Sequence, residues 1–223
     1  MIKSILLASA VLSLVLPVAP AQELNAKLRS SQTQFRNVCV MPVGAGWVKV
    51  TLKARQQMTE EADAWSARMQ PVISKALVTV GAEAVSVATG TGVPEKDETI
   101  RQSVFRLERK FDEMATLLYQ HPGGTKQGRF TLGDEIALVP CAAQADAILF
   151  VRSVDRYSPY PLSGEYPKLY LTIVDPKSGE VLAHARIDAL GSDFRKDPEG
   201  TYLDLLVSRF RQMRVGAPVP KKK

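Results

Sequence analysis

The sequence predicts a mixed α/β domain in which about five strands form one sheet and helices pack on that sheet. Short runs of β-branched and apolar residues alternate along the chain with long segments whose apolar residues recur at helical spacing. Helical segments separate the strands of the first half, which is typical of parallel neighbours. A four-residue linker, Pro176–Gly179, joins the last two strands, which is typical of an antiparallel hairpin.

The strands and helices of the first half follow from these periods. Asn37–Val43 is predicted to be a buried strand, and Trp47–Leu52 either an exposed edge strand or the start of a helix. The apolar residues of Thr59–Val80 lie on one helical face, and Pro71 is expected to kink that helix or to begin its second half. Ala82–Ala88 is a further candidate strand.

The second half is predicted to contain a long amphipathic helix, a short helix, three strands and a last helix. In chain order these are Glu98–Gln120, Leu132–Ala143, Asp146–Val154, Lys168–Asp175, Glu180–Ala189 and Pro198–Arg214. We expect an N-terminal extension over residues 22–36 and a single domain over residues 37–215.

The first 21 residues have the three-part pattern of a secretory signal peptide. Lys3 supplies a positive start, Ile5–Leu16 is an apolar run, and Ala19 and Ala21 are the small residues of a cleavage site. The apolar run is shorter than the roughly 20 residues that cross a bilayer. We therefore expect cleavage after Ala21, a periplasmic or secreted location and no stable membrane insertion.

The composition is that of a globular protein with a modest positive charge. Hydrophobic residues make up 45% of the 223, which excludes a disordered chain, and 29 Lys and Arg against 23 Asp and Glu give a net charge of +6. Three of those charges are Lys221–Lys223, within an expected disordered basic tail over residues 216–223. The sequence has no basic stripe with interleaved aromatics, so we expect no nucleic-acid partner.

Cys39 and Cys141 are the two cysteines of the chain. In an oxidising compartment a pair of cysteines most simply forms one disulfide. A bridge that closes a loop of about 100 residues would stabilise the fold by roughly 4 to 5 kcal/mol in the chain-entropy treatment. Two buried thiols or one reactive thiol are the alternatives.

The patterns that carry catalysis or metal binding are not found in the sequence. His121 and His184 lack metal-ligand spacing, and His184 is expected on the polar face of an alternating strand. Asp134 and Glu135 follow Thr131 where helix-capping residues stand, so capping is the preferred interpretation. We expect no catalytic residue, no metal and no cofactor.

Three segments resemble a region shared by several bacterial envelope proteins. These are Ala145–Val151, Leu169–Asp175 and Ser178–Leu182, which resemble the curli-secretion lipoproteins, the lipoprotein activators of peptidoglycan synthases and the amino-terminal domain of TolB. With Gly128–Glu135 (GRFTLGDE) the chain also resembles uncharacterised secreted bacterial proteins. The resemblance implies non-catalytic work in the envelope: docking, assembly or activation of a partner protein. The lipoprotein members carry an acylated cysteine at the mature start, which this chain lacks.

One loop is a candidate for partner binding. Residues 155–167 connect two predicted strands and hold three of the six tyrosines together with several prolines. Tyrosine gives rigid amphipathic contact area, which suits a binding surface. The hypothesised contact residues are Arg156, Tyr157, Tyr160 and Tyr166; alternatively the loop folds its own aromatic residues onto the sheet edge.

The sequence therefore favours a secreted or periplasmic module that acts through protein interaction or as an assembly accessory, with envelope proteins as partners. One alternative is an extracytoplasmic hydrolase that uses carboxylates such as Asp134 and Glu135. Another is a carrier of a small ligand or lipid, which would need an apolar cavity.

Overall fold

A computed structural model describes residues 22–50, 54–87, 94–157, 168–188 and 197–218. The expected signal peptide, most of the tyrosine-rich loop and the closing lysines lie outside these ranges. In the described ranges, no helix combines the length and the hydropathy that a membrane span requires.

The described residues form eight strands and four α-helices, joined in places by short 3₁₀ helices. The strands are β1 (Gln22–Leu24), β2 (Asn37–Val40), β3 (Gly44–Val50), β4 (Arg55–Gln57), β5 (Glu83–Ser86), β6 (Ala147–Tyr157), β7 (Lys168–Val174) and β8 (Val181–Ile187). The α-helices are α1 (Ala26–Ser30), α2 (Thr59–Thr79), α3 (Pro94–Gln120) and α4 (Pro198–Gln212). The 3₁₀ helices are Pro122–Gln127, Gly133–Leu138 and Pro140–Ala143.

All eight strands belong to one mixed sheet with helices, which confirms the predicted fold class. The sheet order is β1-β8-β7-β6-β2-β5, and β3 pairs with β6 and β4. Strands β2, β5, β3 and β6 pair in parallel, whereas β6, β7, β8 and β1 form an antiparallel series. The antiparallel hairpin of β7 and β8 agrees with the prediction, whereas the first half is parallel only in part, because β4 pairs antiparallel with β3.

The number of strands, predicted as about five, is too low. Two of the additional strands, β1 and β4, have three residues each, and β4 is the polar run Arg55–Gln57, exposed throughout. Such strands are held by backbone pairing and lack an apolar pattern, so hydrophobic periodicity does not detect them. β1 lies in the expected N-terminal extension, where it pairs with β8.

The chain passes from β2 to β3 through a local irregularity beside β6. Val40 pairs with Leu149 and Gly44 pairs with Arg152, so three intervening residues on β2–β3 face two on β6. The extra residue lies in the Met41–Val43 stretch, where Pro42 has no N–H to donate. This bend positions the site described below.

Two hydrophobic cores lie on opposite faces of the sheet. On one face α2 and α4 pack over the sheet, and Trp65 lies between Trp47 and Tyr202 at ring-centroid distances of 5.6 and 6.1 Å. On the other face α3 and the 3₁₀ helices cover the sheet, and Phe111 stacks on Phe150 at 4.0 Å.

The helix predicted over Thr59–Val80 is found as α2, with Pro71 inside it. Another helical segment differs from the sequence-based prediction. The segment predicted as a short helix over Leu132–Ala143 is instead two 3₁₀ helices. Gly133 has a φ of 64° and Pro140 begins the second piece, and both interrupt an α-helical hydrogen-bond ladder.

The GRFTLGDE stretch is joined to the turn between β7 and β8. Leu132 N donates to Gly179 O at 2.8 Å, and Val181 N donates to Phe130 O at 3.0 Å. Gly179 has a φ of 70°, and a Cβ there would lie 2.6 Å from the backbone N and O of Gly133. Two of the four segments on which the resemblance rests, Gly128–Glu135 and Ser178–Leu182, are therefore joined by backbone hydrogen bonds.

The disulfide between Cys39 and Cys141 is present, as predicted. The two Cα atoms are 5.8 Å apart across a sequence separation of 102, and both side chains are buried in the core beneath α3. The bridge ties β2 to the 3₁₀ helix that begins at Pro140.

We expect reduction of this bridge to lower the free energy of unfolding by about 3 kcal/mol, because the unfolded chain regains the entropy of a long loop. Urea unfolding with and without reductant measures the difference. The Cys39→Ala/Cys141→Ala double variant is the control, since its unfolding curve should not respond to reductant. A wild-type curve that is equally insensitive would contradict the prediction.

We expect Gly179→Ala to lower the free energy of unfolding by at least about 2 kcal/mol, since the new Cβ meets the Gly133 backbone and the residue has a positive φ. The matched control is Gly123→Ala, because Gly123 has no positive φ and a Cβ there meets nothing within 4 Å. Equal losses in the two variants, measured by urea unfolding, would refute the role of the Gly133–Gly179 contact.

Candidate functional site

A groove lies at the carboxyl end of β2, where helices α2 and α3 pack on opposite faces of the sheet. After β3 and β4, helix α2 leads to β5 over one face of the sheet, and α3 leads from β5 towards β6 over the other face. Since β5 and β6 flank β2 on opposite sides, this is a topological switch point. Open α/β sheets usually bind ligands in the crevice at such points.

The part of the groove next to β5 is apolar, with a volume of about 830 Å³. We call it the apolar half. Its apolar lining is Val40, Pro42, Ala84, Val85, Val87, Ile100, Val104 and Phe105, and its polar lining is Gln70, Ser74, Asp97, Arg101 and Glu108.

The part of the groove over β3 has a volume of about 1090 Å³ and is bordered by charged and amide side chains of α3, although more of its exposed lining is apolar than polar. We call it the polar half. Its wall on α3 carries Glu108, Arg109, Asp112, Glu113, Thr116 and Gln120, and β3 contributes Gly44, Ala45 and Gly46. Pro42, Phe105 and Glu108 line both halves, so the two halves adjoin.

Helix α3 overhangs the apolar half without closing it. Its buried residues begin only at Leu107, and none of the residues 94–106 is buried. Phe105 is 66% exposed at the junction of the two halves. A large aromatic side chain beside an open apolar cleft is a candidate anchor for a partner.

Arg152 fixes α3 to the bend between β2 and β3. Its Nε donates to Asp112 Oδ1 at 2.8 Å, its Nη2 to Glu108 Oε1 at 3.3 Å, and its Nη1 to the Pro42 carbonyl oxygen at 2.9 Å. The guanidinium also lies 5.3 Å from the centre of the Phe111 ring. The side chain is 8% exposed, so these contacts replace most of its water.

Gly44 makes room for this arrangement. A Cβ at Gly44 would lie 2.7 Å from Arg152 Cδ, closer than the two atoms can approach. Two residues further on, a Cβ at Gly46 would meet nothing within 4 Å, because it would point into the open polar half. Gly44 is thus favoured because any larger residue would displace Arg152. Gly46 leaves the backbone of β3 without a side chain where it lines the polar half.

Glu108 stands at the centre of the groove. Burial raises the pKa of its carboxyl group, the Arg152 charge opposes that effect, and the neighbouring Asp112 adds to it. The groove is therefore partly desolvated where its two halves meet.

An aromatic cluster closes the far end of the polar half. Tyr119 stacks on Tyr170 at 4.0 Å and lies 5.5 Å from the His184 ring, and burial raises the pKa of Tyr119. Thr172 Oγ1 lies 3.0 Å from His184 Nδ1. Burial lowers the pKa of His184 to about 4, so the ring is neutral in the folded protein near neutral pH.

His184 lies, as expected, on the face of β8 opposite Ala183 and Ala185, where its strand partners are Glu23 and Thr172. That face is nevertheless covered: His184 is 3% exposed, because α3 places Tyr119 over it. Alternation within one strand indicates which residues share a face, whereas burial depends on whether a second layer covers it.

The hypothesised partner-binding residues lie at or beyond the end of β6. The backbone of Arg156 and Tyr157 pairs with Val48 and Lys49 of β3. The side chains of both residues, and the whole of Tyr160 and Tyr166, lie outside the described residues. Their role in binding therefore stays a prediction.

The carboxylates of the hydrolase alternative do not line the groove. Glu135 Oε2 lies 2.9 Å from Lys110 Nζ in an ion pair, and Asp134 precedes it in the same 3₁₀ helix. Thr131 Oγ1 accepts from Gly133 N at 3.0 Å, but Leu132 stands at the N-cap of this 3₁₀ helix and no side chain caps it, so the expected capping by Thr131 or Asp134 is not found. The described ranges contain no group of His, Cys, Asp and Glu that could hold a metal ion.

Sequence reasoning missed Arg152. The residue lies within the strand predicted over Asp146–Val154 as nearly continuously apolar. A single arginine in a buried strand needs carboxylate partners, and Glu108 and Asp112 have the i, i+4 spacing that places two carboxylates on one helical face. An arginine in an apolar strand, together with two carboxylates at this spacing in a helix, is the sequence signal that could have located the contacts of Arg152 with Glu108 and Asp112.

Comparison with known proteins gives a distant structural neighbour. No protein family and no curated protein matches the sequence. Among solved structures, a variant of the PelC dodecamer from Paraburkholderia phytofirmans is similar at a TM-score of 0.35 and 11% identity. The match covers 80% of this chain and 87% of the PelC chain. A likeness this distant does not bear on function.

We expect burial of neutral His184 to make the fold sensitive to acid. The pKa of histidine is 6.5 in the unfolded chain and about 4 in the fold, so the unfolded state binds the proton first as the pH falls. The stability is fully present above pH 6.5 and declines between about pH 6.5 and pH 4, by up to roughly 3 kcal/mol.

Urea unfolding of wild type and His184→Gln at about pH 7 and about pH 4.5 tests this, since all other titrating groups cancel in the difference. His121→Gln, at the exposed histidine, is the matched control. A stability difference between wild type and His184→Gln that stays constant with pH would contradict the prediction.

Proposed function

We propose that this protein is a non-catalytic, periplasmic or secreted envelope module that acts in protein interaction or assembly by holding a segment of a partner protein in the groove beneath α3. The observation that carries the proposal is the continuity of the groove. The residues of α3 that line it run from Asp97 to Gln120, which is about 35 Å of helix.

The dimensions of the groove favour a polypeptide over a compact ligand. Small-molecule sites enclose most of their ligand within about 300–1,000 Å³. Here two adjoining volumes of about 830 and 1090 Å³ share the exposed Phe105. An extended or helical segment can lie along such a groove with Phe105 as the central contact.

The covalent structure supports the proposed compartment. The bridge between Cys39 and Cys141 is of the kind that forms and persists in oxidising spaces. The proposed signal peptide over residues 1–21 accounts for export, and the family resemblance accounts for a partner-binding role.

A second candidate function is the binding of a small apolar ligand or lipid. The observation that favours it is the apolar half alone, whose volume and apolar lining suit such a molecule. It requires only this half, whereas the preferred function requires both halves. No observation favours the hydrolase alternative.

We expect variants of the groove to lose capture of a partner from an envelope extract. Phe105→Ser removes the central contact, and Gly46→Leu fills the polar half without meeting any atom of the protein near its Cβ. Either change should reduce capture by the immobilised protein at least about tenfold, typical of loss of an anchor. Quantitative mass spectrometry of cross-linked samples measures it.

Each control makes the same type of substitution as a groove variant, but at a residue outside the groove lining. Leu117→Ser removes another exposed apolar residue of α3 outside the groove lining, and Gly123→Leu adds a side chain at another glycine with open space. Both should capture like wild type. Capture that survives both groove variants would overturn the proposal. Loss of capture by Phe105→Ser alone would support the small-ligand candidate if Phe105→Ser also abolished binding of a fluorescent apolar probe.

A further inference from the structure

We infer that the partner binds through an extended segment that adds a strand to the edge of β3 facing away from β6, opposite Ala45. The inference rests on the proposed function, because it names the conformation and the backbone contacts of the segment that the groove holds. It follows from an interruption in the pairing of the sheet beside the bend between β2 and β3.

The edge of β2 and β3 that faces away from β6 is paired at its two ends but not between them. Val40, the last residue of β2, pairs with Ser86 of β5, and Val48 pairs with Gln57 of β4. In the described part of the chain, no strand pairs with this edge along the intervening residues 41–47. Seven extended residues span roughly 20 Å, which leaves room for a short added strand.

Two hydrogen bonds identify the backbone groups that face this edge. Val43 N donates to the side-chain Oε1 of Gln70 at 3.3 Å. The Trp47 carbonyl oxygen accepts from Met58 N at 3.0 Å. Since alternate residues of a strand direct their backbone groups to the same edge, Ala45, midway between Val43 and Trp47, also faces it.

The backbone N–H and carbonyl of Ala45 have no hydrogen-bond partner among the described residues. Ala45 is partly exposed and lines the polar half, so this edge can be reached from the groove. An antiparallel strand satisfies both groups at once, because one of its residues exchanges two hydrogen bonds with the residue opposite. Hydrogen-bond complementarity therefore favours a polypeptide backbone as the occupant.

The side chains of an added strand would point alternately to the two faces of the sheet. The residue opposite Ala45 points, like Ala45 itself, towards the core under α2, and its two neighbours point towards α3. On that side Gly46 has no side chain to oppose them, and Phe105 is exposed. An extended segment can therefore contact β3 through its backbone and α3 through every second side chain.

Hydrogen exchange of the Ala45 amide, measured by NMR, tests the inference. The probe is a peptide selected from a random phage library on the immobilised mature protein. We expect the Ala45 amide to exchange fast in the free protein, and a saturating peptide to slow it at least about tenfold, because the amide gains a hydrogen bond. The Gly46 amide, which faces β6, should be protected in both states. The Gln57 amide, on the outer edge of β4, should be protected in neither.

The variant Ala45→Pro tests the same contact from the protein side. It removes the N–H that the added strand would use and should weaken peptide binding at least about tenfold. Gln57→Pro is the matched control, since it removes an N–H from another exposed strand edge outside the groove lining, and it should bind like wild type. Thermal unfolding of both variants checks that the fold is retained.

A scan of the peptide backbone gives a test that does not depend on the folding of Ala45→Pro. Copies of the selected peptide, each N-methylated at one amide, lose one donor at a time. The affinity for wild type should fall at every second position, because alternate amides of a paired strand face its neighbour. Losses without this alternation would contradict the inference and favour a helical segment.

The outcomes separate this inference from the proposed function. Peptides that bind wild type but not Phe105→Ser, and that leave the Ala45 amide unprotected, would overturn the inference and leave the groove as the docking site. Peptides that bind Phe105→Ser as well as wild type, or selection of no peptide at all, would overturn the proposed function and the inference with it.

Protection of the Ala45 amide in the free protein would also overturn the inference, because the edge would already be occupied. Sedimentation at increasing protein concentration identifies that occupant. Self-association that Ala45→Pro abolishes would identify a second copy of the chain, and a monomer with a protected Ala45 amide would identify another segment of the same chain.

Discussion

The buried guanidinium of Arg152 is the constraint on which the site depends. A buried charge is tolerated only where hydrogen-bonding partners replace its water, and here those partners come from Glu108 and Asp112 of α3 and from the Pro42 carbonyl. Because one side chain contacts both elements, the position of α3 and the bend between β2 and β3 are fixed together. The groove is the space that remains between them.

The two faces of the sheet are stabilised in different ways. The face under α2 and α4 is a conventional apolar core with Trp65 at its centre. The face under α3 combines apolar packing with the Arg152 ion pairs and the Cys39–Cys141 bridge. That face is covered by one long helix and short 3₁₀ helices, and the covalent and ionic contacts join these elements to the sheet.

The sequence predicts those parts of the molecule that depend on local periodicity. The strands at β2 and β5–β8, the helices α2, α3 and α4, and the mixed parallel and antiparallel sheet follow from apolar spacing and turn residues. The short strands β1 and β4 do not, because backbone pairing holds them. The groove could not be predicted either, since residues far apart in the chain, such as Val85, Phe105 and Gly46, form it only in the folded state.

The place of β6 in the chain has a consequence for how the protein folds. β6 pairs with β2, β3 and β7, yet Val38 of β2 pairs with Ala147, a separation of 109 residues. Closing so long a loop must precede most of the parallel pairing, and contacts of this range make folding slow. During synthesis β2 and β5, which pair with each other, emerge well before β6 can join them in the sheet. The apolar residues of β2 therefore lack their partner strand β6 until the chain has grown by a further 109 residues.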